Sequence, residues 1–255
     1  MLIDTHTHLY LPEFDADRSD VVERVVAAGV EHLILPNIDL QSLPAMKAMA
    51  KAYPQLTSMA VGLHPTEVGE GWKDTLSEIL AELDGSARYV AIGEIGMDLY
   101  WDSTYCDEQM QVLDRQLAEA CKRGLPVIIH CRKALAPTLE VMEAYPSLRG
   151  VMHSFEGTPA DIEAVRRRAD MYFGVNGIVT FKKSTVPILL PAIGLDRVLL
   201  ETDSPYLAPT PYRGKRNDSS LLPLVADCVA SHLGVSTDDV AAATTASARA
   251  LFSLG

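Results

Sequence analysis

The chain has 255 residues, 48% of them hydrophobic and 22% charged, with a formal net charge of −12. That suits one large α/β domain or two small ones, with a core that needs no disulfide staple; Cys106, Cys121, Cys131 and Cys228 form no CxxC pair and read as reduced thiols. The acidic balance argues against generic nucleic-acid binding, which shows a basic footprint, and no apolar stretch approaches the roughly 20 residues of a membrane-spanning helix.

The first apolar run, "MLIDTH" (1–6), is broken by Asp4 and His6 too early for a signal peptide. A cytoplasmic protein is expected, with no membrane partner and no obligate protein partner. Residues two apart in a strand share a face, so His6 and His8 project together. Two neutral imidazoles side by side make a poor core and a good start to a metal site, although hydrogen-bonded histidines at a strand end give the same pattern.

An amphipathic helix follows over "DRSDVVERVVAAG" (17–29), with Gly29 as a natural stop. Strand runs then recur at "EHLILP" (31–36), "LTSMAVGLH" (56–64) and "YVAIGE" (89–94). A second long helix, "CDEQMQVLDRQLAEACKRG" (106–124), stops at Gly124. Four more strands come at "PVIIH" (126–130), "GVMH" (150–153), "MYFGV" (171–175) and "RVLLETD" (197–203). The tail, "SSLLPLVADCVASHLG" (219–234) and "STDDVAAATTASARALFSLG" (236–255), predicts two packing helices, the second with Ser236 as N-cap and Asp239 near N3. Alternating strands and helices predict a parallel sheet covered by helices. About eight units in about 250 residues is the size of a (β/α)8 TIM-type barrel, a single domain over 1–255 closed by the C-terminal helices. A doubly wound sheet is the alternative, weakened because no GxGxxG follows the first strand.

In such a barrel the C-terminal strand ends form the active-site face. Here the apolar runs end in His6, His64, Glu94, His130 and His153, and in Glu201 and Asp203. One histidine after a strand means little; the repetition carries the inference. His32 and His232 fall elsewhere and read as structural. His6, His8, His130 and His153 offer nitrogen donors, and Glu94 and Asp203 offer anionic oxygens. That mixture suits Zn²⁺, Mn²⁺ or Co²⁺, with Mg²⁺ also open, and the donors are too many for one tetrahedral ion. Two divalent ions bridged by a carboxylate fit the count. Cys131 follows His130 directly, so alternation turns it away.

These residues lie in "IDTHTHL" (3–9), "GLHP" (62–65), "GEIGMDLYW" (93–101), "IIHCRKA" (128–134), "HSFEGT" (153–158) and "ETDSPYLAPTPYRGKRN" (201–217). With them the chain resembles the TatD family of metal-dependent deoxyribonucleases, in the amidohydrolase-like superfamily, over essentially its whole length. The resemblance implies a divalent-metal hydrolase of nucleic-acid phosphodiesters, with the same six ligands and Glu94 as the bridge. It also implies that His64, Arg132 and the "RGKR" loop, with Arg213 and Arg216, face the scissile phosphate. Asp203 would be ligand and general base, with Glu94 and His64 completing the catalytic set. The sequence departs from the family at Asp218-Ser219 and at "GMDLY", which touches no expected ligand.

The charge of −12 does not exclude nucleic acid locally. Arg132, Lys133, Lys182, Lys183, Arg213, Lys215 and Arg216 all follow strands on the expected active-site face. Lys182 and Lys183 read as solvated charges. No long basic groove is visible, so single-stranded DNA ends or short oligonucleotides are the expected substrate, with Tyr100, Trp101 and Tyr212 able to stack on bases. The rival readings are a small-molecule hydrolase of a lactone, amide or phosphotriester, and a non-catalytic metal-binding protein.

Overall fold

Every apolar run becomes a strand, and each strand's neighbours in the sheet are its neighbours in the chain. The computed structural model describes residues 1–255. Its eight strands are β1 (Leu2–Asp4), β2 (Val30–Pro36), β3 (Thr57–Val61), β4 (Tyr89–Asp98), β5 (Val127–Arg132), β6 (Arg149–Met152), β7 (Asp170–Val175) and β8 (Val198–Leu200). All pair in parallel in the order β1 to β8. The ring is closed by the Thr5 amide, which donates to the Leu200 carbonyl at 3.0 Å, and by a bridge between Thr7 and Ser204. The doubly wound alternative is thereby excluded, and a (β/α)8 barrel is the architecture.

Nine helices complete it: α1 (Arg18–Ala27), α2 (Leu43–Ala52), α3 (Trp72–Ala81), α4 (Cys106–Arg123), α5 (Leu135–Met142), α6 (Pro159–Arg166), α7 (Val186–Ile193), α8 (Leu222–Leu233) and α9 (Thr237–Phe252). None is long and apolar enough by itself to cross a membrane. At the start of α9 both halves of the capping box form: Ser236 Oγ accepts from the Asp239 amide at 3.1 Å, and Asp239 Oδ2 accepts from the Ser236 amide at 3.3 Å.

Strand alternation divides the apolar side chains into two cores. Leu33, Leu35, Ile92, Val127, Ile129, Phe173 and Leu200 belong to the large core shared with the helices. Ile3, Ile34, Ala60, Ala91, Ile128, Val151 and Leu199 form a second, smaller core inside the barrel. Ala248, Leu251 and Phe252 of α9 join that inner core. The Thr245 hydroxyl donates to the Met1 carbonyl, and the Ser247 hydroxyl to the Asp196 carbonyl, just before β1 and β8. The last helix therefore plugs the N-terminal mouth, which leaves the C-terminal mouth for polar groups.

Several strands are shorter than their apolar runs, and one boundary shift bears on the site. β4 does not end at Glu94 but runs to Asp98, paired with Arg132, and its register against β5 slips between Ile92 and Ile95. Gly96 makes this close pairing possible: its φ is +140°, and a Cβ there would meet the His130 carbonyl oxygen at 1.9 Å. Glu94 sits in the irregularity, below the rim.

Phe252→Ala should destabilise the barrel by about 3–5 kcal/mol, because it opens a cavity in the inner core that the strands cannot close. Urea unfolding followed by circular dichroism measures this. A loss under ~1 kcal/mol would show that α9 does not plug the barrel.

Candidate active site

Six side chains from five strands and their following loops meet at the open mouth. His6 and His8 come from the segment after β1, Glu94 from β4, His130 from β5, His153 from just beyond β6, and Asp203 from just beyond β8. His6, His8, Glu94 and His153 are all buried. The two oxygens of Glu94 face different partners. Oε2 lies 3.1 Å from His6 Nε2 and 3.8 Å from His8 Nε2. Oε1 lies 2.9 Å from His130 Nδ1, 3.4 Å from His64 Nε2 and 3.9 Å from His153 Nε2. Asp203 Oδ1 stands 3.6–3.8 Å from the Nε2 atoms of His6, His8 and His153. His64 thus joins the cluster beside Glu94 and His130.

Each outer ring atom of three histidines has a partner. His130 Nε2 meets Asp98 Oδ2 at 2.9 Å. His8 Nδ1 meets the Tyr10 hydroxyl at 3.0 Å, and that hydroxyl donates to the Pro36 carbonyl. His153 Nδ1 lies 3.0 Å from Glu201 Oε2, an ionic contact outside hydrogen-bond angles. Glu201 fits only because residue 174 is glycine: a Cβ on Gly174 would stand 2.3 Å from Glu201 Oε2. Asp4 clamps the seam between β1 and β8. Its carboxylate accepts from the Thr202 amide at 3.0 Å, the Thr202 hydroxyl at 2.6 Å and the His6 amide at 3.2 Å, tying together the segments that carry His6 and Asp203. Such outer partners fix ring tautomer and direction.

The donor set fits divalent metal. His6 Nε2 and His8 Nε2 face each other at 3.1 Å with Glu94 Oε2 alongside. Three groups of donors, His6–His8–Asp203, His6–Glu94–His153 and His64–Glu94–His130, are each compact enough to hold an ion. Lone pairs converging without hydrogens between them repel unless a cation or proton intervenes. Asp203, Lys133, Ser154 and Leu207 all line the cleft and all have positive φ, between 47° and 58°. Backbone strain of this kind concentrates at functional sites.

Residues 3–253 match the family model described as TatD related DNase. The chain belongs to the TatD family. It is 34% identical over 255 residues to an uncharacterized metal-dependent hydrolase, YabD, of Bacillus subtilis, covering 99% of each chain. It is 33% identical over 261 residues to the 3'-5' ssDNA/RNA exonuclease TatD of Pantoea vagans, covering 99% of this chain and all of that one. Among solved structures, the TatD homolog YJJV of Escherichia coli superposes with a TM-score of 0.91 at 28% identity, over 100% of this chain and 98% of that one. The chain is accordingly a metal-dependent hydrolase of the TatD family, on the TIM-barrel fold.

The basic residues of this TatD-family site are not all where the motifs suggest. The cleft above the cluster has a volume of about 790 Å³, and its only arginine or lysine lining residues are Arg132 and Lys133. Arg216 lies outside it, drawn back by Asp17: its two terminal nitrogens donate to Asp17 Oδ1 and Oδ2 at 2.9 and 2.6 Å. Arg213 lies over Phe181, its guanidinium carbon 4.1 Å from the ring centroid, also outside the cleft lining. Neither therefore lines the cleft itself, and each is held by a partner of its own. Asp98, Tyr10 and Asp4 are the members that sequence reasoning missed. The spacing of Asp98 after Glu94 was visible, but only the β4–β5 pairing shows that it reaches His130. The Asp218-Ser219 departure is structural: the Asp218 side chain accepts from the Ser220 amide, and Arg24 pairs with it.

Burial opposes charge on these groups, and the cluster overrides it. Burial would raise the Glu94 carboxyl, but His6, His64 and His153 nearby and the bond with His130 hold it well below the usual range. Asp203 is likewise held down, against burial, by His153 and His8. Burial would depress His153, but the carboxylates of Glu201, Glu94 and Asp203 push it up to about 10. Burial would depress His130 too, yet Asp98 and Glu94 push it up to about 9. His6 is lowered by burial and by His153.

At pH 7 the metal-free cluster therefore holds protons on His130 and His153, below both values. Metal ligation requires neutral rings, so binding must expel those protons. Affinity for Mn²⁺ should rise with pH toward about 9–10 and fall in acid. Calorimetry at pH 7 in buffers of different ionisation enthalpy should show release of about two protons per chain. Buffer-independent heats would overturn this.

Proposed function

We propose that this TatD-family chain hydrolyses phosphodiester bonds in single-stranded DNA ends or short oligonucleotides, with two divalent ions drawn from Zn²⁺, Mn²⁺, Mg²⁺ or Co²⁺. The observation that carries the reading is the division of Glu94: one oxygen beside His6 and His8, the other beside His64, His130 and His153. That division supports Glu94 as a bridging carboxylate. His6, His8, His130, His153 and Asp203 would complete the cage. Two bound divalent ions would supply Lewis acidity, activating water and neutralising charge on phosphoryl oxygens. Support for the substrate comes from relatives named as 3'-5' ssDNA/RNA exonucleases.

The chain's own residues then divide the proton work. Asp203 has a side chain 16% exposed against 4% for Glu94, so Asp203 is the carboxylate that water reaches. It takes the proton from the attacking water. His64 Nδ1 accepts from the Thr66 amide at 3.2 Å, so in the neutral ring Nε2 carries the hydrogen. His64 thus donates toward the cleft, to a phosphoryl or leaving oxygen. In that form it is a hydrogen-bond donor and not a base at Nε2.

Turnover of end-labelled single-stranded oligonucleotides should require added divalent metal and stop with chelator. Reconstitution should saturate at two ions per chain; saturation at one would reject the two-ion form. Hydrolysis of lactone, amide or phosphotriester substrates without oligonucleotide cleavage under any metal would reject the nuclease reading. Asp203→Asn should lower turnover by at least ~10²-fold in preparations with measured, retained metal. Near-normal turnover across pH would move the base elsewhere.

A further inference from the structure

The cleft wall formed by the ends of β4 and β5 carries a cluster that the metal cage does not use. Tyr100 is 50% exposed and Trp101 71% exposed, and both line the cleft. The other tryptophan, Trp72, is buried in α3. The Arg132 guanidinium lies 3.9 Å from the Tyr100 ring centroid and 5.2 Å from that of Trp101. Tyr100 and Trp101 meet edge to face, with centroids 4.9 Å apart and planes at 87°. No carboxylate lies within 4 Å of Arg132, whereas Arg216, Arg123 and Arg197 each have one. A flat cation and a largely uncovered indole thus share one wall, and neither has another partner to explain its place.

The wall is anchored to the chemistry. The Tyr100 amide donates to Asp98 Oδ1 at 2.9 Å, and the other oxygen of Asp98 holds His130. The Leu99 amide donates to the Arg132 carbonyl at 3.0 Å. A group resting on this wall is therefore registered against the metal cluster. The cleft offers a polyanion little else: its one arginine and one lysine share the lining with Glu67 and Glu156. Charge alone cannot grip a strand there, but aromatic and guanidinium faces accept any base, because every base has a π-face.

We propose that Tyr100, Trp101 and Arg132 form a nucleobase subsite that stacks the unpaired base adjoining the scissile phosphodiester. This rests on the nuclease reading above. It makes single-strandedness, not sequence, the recognised feature, since a paired base has its faces covered by its neighbours. It also assigns Arg132 to the base wall, in place of a direct phosphate clamp. With Arg132 and Lys133 the only arginine or lysine lining the cleft, the slope of log affinity against log salt should stay shallow, no steeper than about −3.

Two measurements separate the subsite from the nuclease reading. In chelator, a short single-stranded oligonucleotide should quench Trp101 fluorescence, and an oligonucleotide abasic at its terminal residues should not. With metal, Trp101→Ala should raise KM about tenfold for the normal oligonucleotide, less than about twofold for the abasic one, and leave kcat near normal. Trp101→Phe should restore most of the loss; the exposure of Trp101 makes both variants compatible with folding. Equal losses on both substrates, no quenching, or a salt slope steeper than about −3 would overturn the subsite. Absence of any cleavage by the unmodified chain would sink the nuclease reading, and quenching would then decide the subsite alone.

Discussion

A carboxylate surrounded by imidazoles at the mouth of a closed barrel is the constraint on which the structure turns. Glu94 is buried, and burial disfavours its charge, yet His6, His64, His130 and His153 hold it ionised. The cluster stays assembled because each approach is fixed from behind: His130 by Asp98, His8 by Tyr10, His153 by Glu201. Asp4 fixes the seam where first and last strands meet. The outer carboxylates raise the rings' affinity for protons, and they would raise ring basicity toward metal in the same way.

Barrel architecture makes room for so much buried polarity by separating it from the apolar filling. The inner core ends in α9, which closes the N-terminal mouth with Leu251 and Phe252. Above it the lumen is left to histidines and carboxylates. The glycines mark where this packing is tightest: Gly174 leaves space for Glu201, and Gly96 lets β4 lie against the backbone of His130. Positive φ at Asp203, Lys133, Ser154 and Leu207 shows the loops bending sharply to present their residues to the cleft.

The charge pattern narrows the substrate. The chain as a whole carries −12, and one arginine and one lysine line its cleft. A long duplex gains most of its affinity from phosphate contacts, and this cleft supplies few. What it supplies is a compact metal-competent cluster beside exposed aromatic faces, a combination suited to the end of a single strand.

Much of this was legible in the sequence. Strand and helix periodicity announced the barrel, and metal-competent residues recurring after apolar runs announced the cluster, because both are local patterns with fixed periods. The capping box of α9 and the stop at Gly124, with φ +66°, were readable for the same reason. Tertiary structure alone decided the rest. The depth of Glu94 follows from a register slip between two strands. The withdrawal of Arg216 depends on Asp17, 199 residues away. The orientation of Arg132 depends on the aromatic rings beside it after β4. A side chain's type is written in the sequence, but its partner is set by which strands the closed sheet brings together, and a charged group's role follows the partner it finds.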